Sequence, residues 1–188
     1  PTEPGDGPRA RPRCGAGAVT PSRNWRIRPL REDDATESFS CGHDALDLWL
    51  RKHAWASQRR RTAVTRVLLN SPDEAAGAVV GYYSLASTSV TSADLPRRPG
   101  RGQPAVLPAF LLARLALDRS LQGQGMGGVL LSHAVRSADQ ASRIVAARLL
   151  VVDAIDSSAA SFYEHYGFLP LTTDDHHQRF AAVIKHLL

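Results

Sequence analysis

The sequence predicts one mixed α/β domain on a single central sheet, with parallel pairing in its C-terminal half. Three observations predict it. Strand-like runs follow one another between residues 63 and 91 with only a short turn between them, the pattern of antiparallel hairpins. From residue 110 onward, apolar strand-like runs alternate with helical ones, the pattern of crossover units. The 188 residues, 43% hydrophobic and 22% charged, are enough for one core and little more.

Residues 1–24 are dense in Pro, Gly and Arg without an apolar period, and are expected to form a flexible basic arm before a folded domain at 25–188. Residues 25–30 alternate as a first strand. Glu32, Asp33 and Asp34 form an acidic cluster suited to a helix start. A second helix follows Ser40-Cys41-Gly42. In it Leu46, Trp49, Leu50, His53 and Ala54 recur at the helical period and are expected to face the core, and Arg59-Arg60-Arg61 closes it with cations. Residues 63–70 read as a strand and 71–76 as a turn. Residues 78–91 form a long β-rich run with Gly81 as a bend or bulge. Residues 95–108, with four prolines and three arginines, read as a loop. Residues 110–118 form a buried strand, 125–141 a helix, and 148–154 a second buried strand. A short helix spans 157–166, with Gly167 as a left-handed terminator. Residues 178–188 read as a last strand, although Ala and Leu there would also suit a helix.

Composition excludes a collagenous repeat, a disulfide scaffold and disorder throughout. No apolar run approaches the roughly 20 residues of a membrane helix. The opening residues lack the apolar stretch of a secretory signal, and Cys14 and Cys41 suggest no bridge, so a reducing cytoplasm is the expected setting. The net charge is +5, of which residues 1–30 supply +4 through six arginines against Glu3 and Asp6. Such an arm suits a polyanion partner or is simply solvated. Adjacent His176 and His177, without further spaced ligands, do not make a metal site, and none is expected.

The most informative segment is Gln122-Gly123-Gln124-Gly125-Met126-Gly127-Gly128, which follows a buried strand and opens a helix. Its glycines let backbone approach a ligand closely, and the free N–H groups and dipole of a helix start favour an anion. This is a recipe for holding a pyrophosphate. The phosphate loop of nucleotide triphosphatases fails for want of its lysine. A dinucleotide fingerprint is formally present at Gly123, Gly125 and Gly128, with Asp153 ending a later strand. It normally sits directly after its strand, however, and begins a larger doubly wound sheet. A glycine-rich turn without a ligand is the remaining alternative. Tyr163 either packs with its hydroxyl satisfied by backbone or serves as a proton donor; spacing alone does not choose.

The pattern [QR]-x-x-G-x-[GA] at Gln122, Gly125 and Gly127 resembles the GNAT superfamily of N-acetyltransferases. Leu112-Ala113-Arg114-Leu115-Ala116-Leu117-Asp118 is similar to that family's preceding strand, and residues 156–168, with Ala159, Phe162, Tyr163, Gly167 and Phe168, to its following helix. The resemblance spans residues 25–188. It implies the GNAT fold, a central sheet with helices on both faces and a parallel strand pair splayed at the cofactor site. It implies acetyl-CoA as cosubstrate, with its pyrophosphate on residues 122–128 and its thioester carbonyl on backbone N–H groups of Leu115, Ala116 and Leu117. Ala159 and Phe162 are implied at the coenzyme, and Tyr163 as the acid that protonates the departing thiolate. A phenol with an ordinary pKa of about 10 stays protonated at neutral pH. Glu164, His165, His133, Asp118 and Asp153 are titratable, but none is placed at the amine as a base.

Phe39-Ser40-Cys41-Gly42, Leu46-Asp47-Leu48-Trp49-Leu50, Gly81-Tyr82-Tyr83-Ser84-Leu85, Leu95-Pro96, Leu107-Pro108 and Arg114-Leu115-Ala116 are similar, in this order, to GNAT toxins of bacterial toxin–antitoxin modules. That resemblance implies acetylation of the α-amine of aminoacyl-tRNA, a block of translation, a ribbon-helix-helix antitoxin as partner and a possible homodimer. Gln122 and Gln124 depart from the basic residues often found there. Arg59, Arg60, Arg97 and Arg98 are the candidate RNA contacts, each of which would equally suit a solvated face. The alternatives are acetylation of a protein N-terminus or small amine, and a non-catalytic coenzyme A-binding module.

Overall fold

The computed structural model describes residues 25–71, 77–96, 104–171 and 178–188. The expected arm, the Arg97 and Arg98 contacts and the His176-His177 pair lie outside the described residues. The chain runs through β1 (Arg26–Pro29), α1 (Asp44–Lys52), α2 (Ala54–Arg59), β2 (Val64–Leu69), β3 (Val79–Thr91) and β4 (Val106–Leu117). It continues through α3 (Met126–Ser142), β5 (Leu149–Ala154), α4 (Ser157–His165), β6 (Leu169–Pro170) and β7 (Gln178–Val183).

The strands form one sheet in the order β1-β2-β3-β4-β5-β7-β6. All neighbours are antiparallel except β4 and β5, which run parallel over Ala109–Leu112 and Leu149–Val152. Two extra residues kink the ladder. Val80 bulges beside Gly81, between the pairs Leu68–Gly81 and Leu69–Val79. Ala113 bulges between the pairs Ser84–Arg114 and Leu85–Leu112. A bulge bends its strand and sharpens the local twist, and the second one sits where β4 parts from β5.

Period-two alternation sends adjacent side chains to opposite faces. Tyr83 joins Leu112, Leu117, Leu130, Leu150, Val152, Tyr163 and Phe180 in the core under α3 and α4. Tyr82 joins Leu46, Leu50, Ala54, Val67, Leu69 and Ala116 under α1 and α2. Both tyrosines are fully buried. The Tyr82 hydroxyl donates to the Leu46 carbonyl at 2.9 Å, so its burial leaves no bare polar group.

Four expectations change. The acidic cluster starts no helix. Asp34 instead accepts from the Arg31 N–H at 2.7 Å and closes a turn, while pairing with Arg28. The second helix breaks at His53, whose φ of −120° ends α1 and begins α2; His53 is exposed rather than in the core. β4 begins at Val106, so Leu107 and Pro108 belong to a strand; the ladder to β5 starts only at Ala109. The last strand ends at Val183 in a 3-10 turn over Ile184–His186, and the two-residue β6 was not anticipated.

Candidate active site

The site begins where β4 and β5 separate. Their ladder ends at Leu112–Val152, yet β4 continues to Leu117, so from Ala113 onward its β5-facing edge has no strand partner. The Asp118 N–H donates to Val80 on β3 at 2.9 Å, across the pair Leu117–Gly81. Antiparallel ladders alternate. Leu117 and Leu115 therefore turn their N–H groups to the open edge, whereas Ala116 gives its own to β3. Of the three positions expected to hold a carbonyl, Leu115 and Leu117 have the geometry and Ala116 does not.

Beyond β4, a 3-10 turn at Arg119–Leu121 leads into the glycine loop. Gly123 (φ +72°) and Gly125 (φ +77°) are left-handed, and Gly125 caps α3. Such angles are routine for glycine and cost other residues roughly 1–2 kcal/mol. Among the described residues, no hydrogen bond uses the N–H groups of Gly123, Gln124, Gly125, Met126 or Gly127. A run of free donors at the positive end of a 17-residue helix fits a diphosphate. Gly127 and Gly128 also serve packing. A Cβ on Gly127 would lie 3.3 Å from Phe162, and one on Gly128 only 2.0 Å from the Tyr166 hydroxyl. These two glycines let α3 lie against the aromatic side of α4. The acidic end of the dinucleotide fingerprint is accounted for differently: Asp153 accepts two bonds from Arg179, at 2.6 and 3.0 Å.

The Gln122 amide does not face the loop's open side. Its Nε2 donates to the carbonyls of Cys41 (2.8 Å) and Leu117 (3.0 Å). The Gln124 amide likewise turns back, to the Ser120 carbonyl at 2.7 Å. Asp118 accepts from the N–H groups of Ser40 (3.1 Å) and Ser120 (3.0 Å), and the Arg119 N–H donates to the Ser40 carbonyl at 2.9 Å. Burial pushes the Asp118 carboxyl up, but these donors outweigh it and the net direction is down. The Ser40–Cys41 connector is thus tied to the loop, a role that sequence reasoning missed because the partners are about 80 residues apart. Its Cys41 is a buried free thiol, raised to about 11 by burial and by Asp47. His43 follows, with Nε2 3.8 Å from Asp156 at the start of α4.

On α4, Asp156 caps the helix by accepting the Ala159 N–H at 2.7 Å, so that N–H is spent internally. Phe162 lies edge-on to Tyr163 at 5.3 Å and reaches Gly127, near Leu117. Strand end, loop and α4 therefore converge. The Tyr163 ring is 7% exposed and wedged between Phe162 and Phe168. No hydrogen bond among the described residues uses its hydroxyl. Burial, then the Asp153 charge, pushes its pKa above the ordinary 10.0. A phenol held protonated, with no backbone partner among the described residues, has a proton to give.

The structure gathers the loop, Leu115, Leu117, Phe162 and Tyr163. It does not bring Arg59 and Arg60 there: both stand exposed at the end of α2. His133 is held by the Tyr83 hydroxyl at 2.8 Å, and its pKa is lowered by burial and by Arg66 and Arg136. Among the described residues, no group of three or more His, Cys, Asp or Glu is placed to hold a metal.

Residues 67–170 match the family described as the acetyltransferase (GNAT) domain, more than half of the chain. The chain belongs to the GNAT acetyltransferases. As a GNAT enzyme it is an acetyl-CoA-dependent acetyltransferase, and it resembles the toxins of the family. It is 39% identical over 150 residues to the tRNA-acetylating toxin of Mycobacterium tuberculosis, covering 80% of this chain and 87% of that one. A tyrosine-to-phenylalanine variant of KacT superimposes with a TM-score of 0.80 at 25% identity, over 88% of this chain and 98% of KacT. AtaT complexed with acetyl-methionyl-tRNAfMet gives 0.77 at 32% identity, over 86% and 95%. AtaT is also known bound to the C-terminus of the antitoxin AtaR and acetyl-CoA. No helix of the described residues is long and apolar enough to cross a membrane.

Proposed function

We propose that this GNAT chain acetylates the α-amine of aminoacyl-tRNA in the cytoplasm and so blocks translation, as the toxin partner of a ribbon-helix-helix antitoxin. The observation that supports the chemistry is the Tyr163 hydroxyl, held protonated and unbonded among the described residues, on a ring that packs in the same core as Leu117 of β4. The identity to a tRNA-acetylating toxin supports the acceptor.

The residues divide the work. The free N–H groups at 123–127 hold the diphosphate. Leu115 and Leu117 donate to the thioester carbonyl as it gains negative charge. The neutral amine attacks the carbonyl carbon, the C–S bond breaks, and Tyr163 gives its proton to the sulfur. The proton lost by the nitrogen leaves to water, and the phenol is reprotonated from solvent. A dedicated base is not required, because an α-amine with a pKa of about 7.7 is substantially neutral at cellular pH.

Labelled acetyl-CoA mixed with bulk charged tRNA is expected to give N-acetylated aminoacyl-tRNA, and uncharged tRNA none. Folded protein that leaves charged tRNA unlabelled while acetylating an N-terminal peptide would reject this acceptor. The pH dependence has a definite sign. Initial rates are expected to rise through the amine's pKa of about 7.7. They are then expected to stay level to about pH 10, because burial holds the Tyr163 proton beyond its ordinary range. A falling limb between pH 8 and 9, roughly one to two units below a free phenol, would contradict Tyr163 as donor.

A further inference from the structure

Arg114 occupies a position the mechanism above leaves unused. It lies on β4 opposite Ser84, between the Ala113 bulge and the Leu115–Leu117 edge. Its guanidinium carbon is 5.4 Å from the Trp49 ring centroid, and Trp49 in turn stacks on Tyr82 at 5.9 Å and 12°. One of its five N–H groups is accounted for: Nη1 donates to the Ala113 carbonyl at 2.6 Å. Among the described residues, no carboxylate pairs with it. The group is half-buried. Removing a cation from water without a counter-ion is costly, so this guanidinium is held on an aromatic platform with most of its donors unspent.

Its face of the sheet identifies the ligand. Tyr163 belongs to the α3–α4 core, so the leaving thiol must lie on that side. Trp49 packs with the α1–α2 core on the opposite side, which leaves that side for the acceptor. The exposed Arg59 and Arg60 stand at the end of α2 on the same face. The coenzyme's diphosphate is already matched by the donors at 123–127, beyond the far end of β4. An anion at Arg114 therefore comes from the acceptor. In an aminoacyl-tRNA, the phosphodiester nearest the reacting amine is that of the terminal nucleotide.

Resting on the aminoacyl-tRNA reading, we propose that Arg114 is a specificity residue that receives the terminal phosphodiester of the acceptor and so distinguishes charged tRNA from amines lacking a nucleotide. The planar guanidinium donates in a fork that suits a phosphate, and Arg114 holds its central carbon over the Trp49 ring.

The test compares R114Q and R114K with the wild type on charged tRNA and on an amino-acid amide, after matching their melting temperatures. R114Q is expected to raise KM for charged tRNA roughly tenfold or more, the worth of a charged hydrogen bond. Its KM for acetyl-CoA and its turnover of the amide should stay within about twofold, while R114K, which keeps the charge but not the fork, falls between. The slope of log KM for tRNA against log salt should shrink by about one. Equal losses on both acceptors, a rise confined to acetyl-CoA, or an unchanged salt slope would overturn the assignment. A wild type inactive on charged tRNA would overturn the acceptor reading and this assignment with it, whereas an active wild type matched by R114Q would overturn the assignment alone.

Discussion

Replacing Tyr163 by Phe is expected to lower kcat by about 10²- to 10⁴-fold, the usual contribution of a positioned proton donor. The substitution removes one oxygen and nothing else. That oxygen makes no hydrogen bond within the described residues, so no buried partner is orphaned and the melting temperature should hold. The ring contacts with Phe162 and Phe168, at 5.3 and 5.5 Å, survive in the variant. Coenzyme binding followed by calorimetry should persist, because the diphosphate donors at 123–127 lie on another element. The thiolate would then leave without its proton, and the barrier rises by the corresponding amount. Unchanged turnover would remove Tyr163 from the chemistry. Turnover and coenzyme affinity lost together would make it a binding residue instead.

Replacing Asp34 by Ala is expected to cost about 2–3 kcal/mol of stability, the worth of the charge-assisted hydrogen bonds it accepts from Arg28. Arg28 and Asp34 side chains are each 6% exposed and share a two-pronged ion pair. Asp34 also accepts the Arg31 N–H that closes the turn after β1. For a chain of this size each kcal/mol shifts the melting temperature by roughly 2–4 °C, so a fall of about 6–9 °C should appear in a thermal scan. Replacing both partners with apolar residues of similar volume should recover most of it, since a buried pair exchanged for packing is often neutral. β1 is at the sheet edge remote from the β4–β5 opening, so kcat measured well below the transition should not move. A shift under about 2 °C for Asp34→Ala, within the reach of an exposed pair, would show the pair to be solvated.

The fold was legible wherever the signal was local. Alternation marked β1, β-rich runs marked β2 and β3, an unbroken apolar run marked β5, and the glycines between β4 and α3 announced free helix-start donors. The candidate site was legible in part for the same reason: Gly125, left-handed at the start of α3, and Tyr163, on α4, sit in patterns complete within a dozen residues. What escaped depends on contacts distant in sequence. Nothing near Gln122 indicates that its amide serves the Cys41 and Leu117 carbonyls, and nothing near Asp118 points to Ser40. Ala116 drops out because ladder phase, set by the Asp118–Val80 bond, is invisible in a string of apolar letters. The acidic run at 32–34 misled because carboxylates serve turns as well as helix starts, and only the buried Arg28 decides between them. Similarly, nothing near Gly128 indicates that the Tyr166 hydroxyl occupies the space its side chain would fill.

The ties from Gln122 and Asp118 to the Ser40–Cys41 connector bear on affinity. A glycine-rich loop in isolation would wander, and each visitor would have to freeze it at a cost of roughly 1–2 kcal/mol per residue. Here folding itself has already restrained the segment. On the proposed reading, the carrier would meet donors that are preorganised, and little of its interaction energy would be diverted to ordering them.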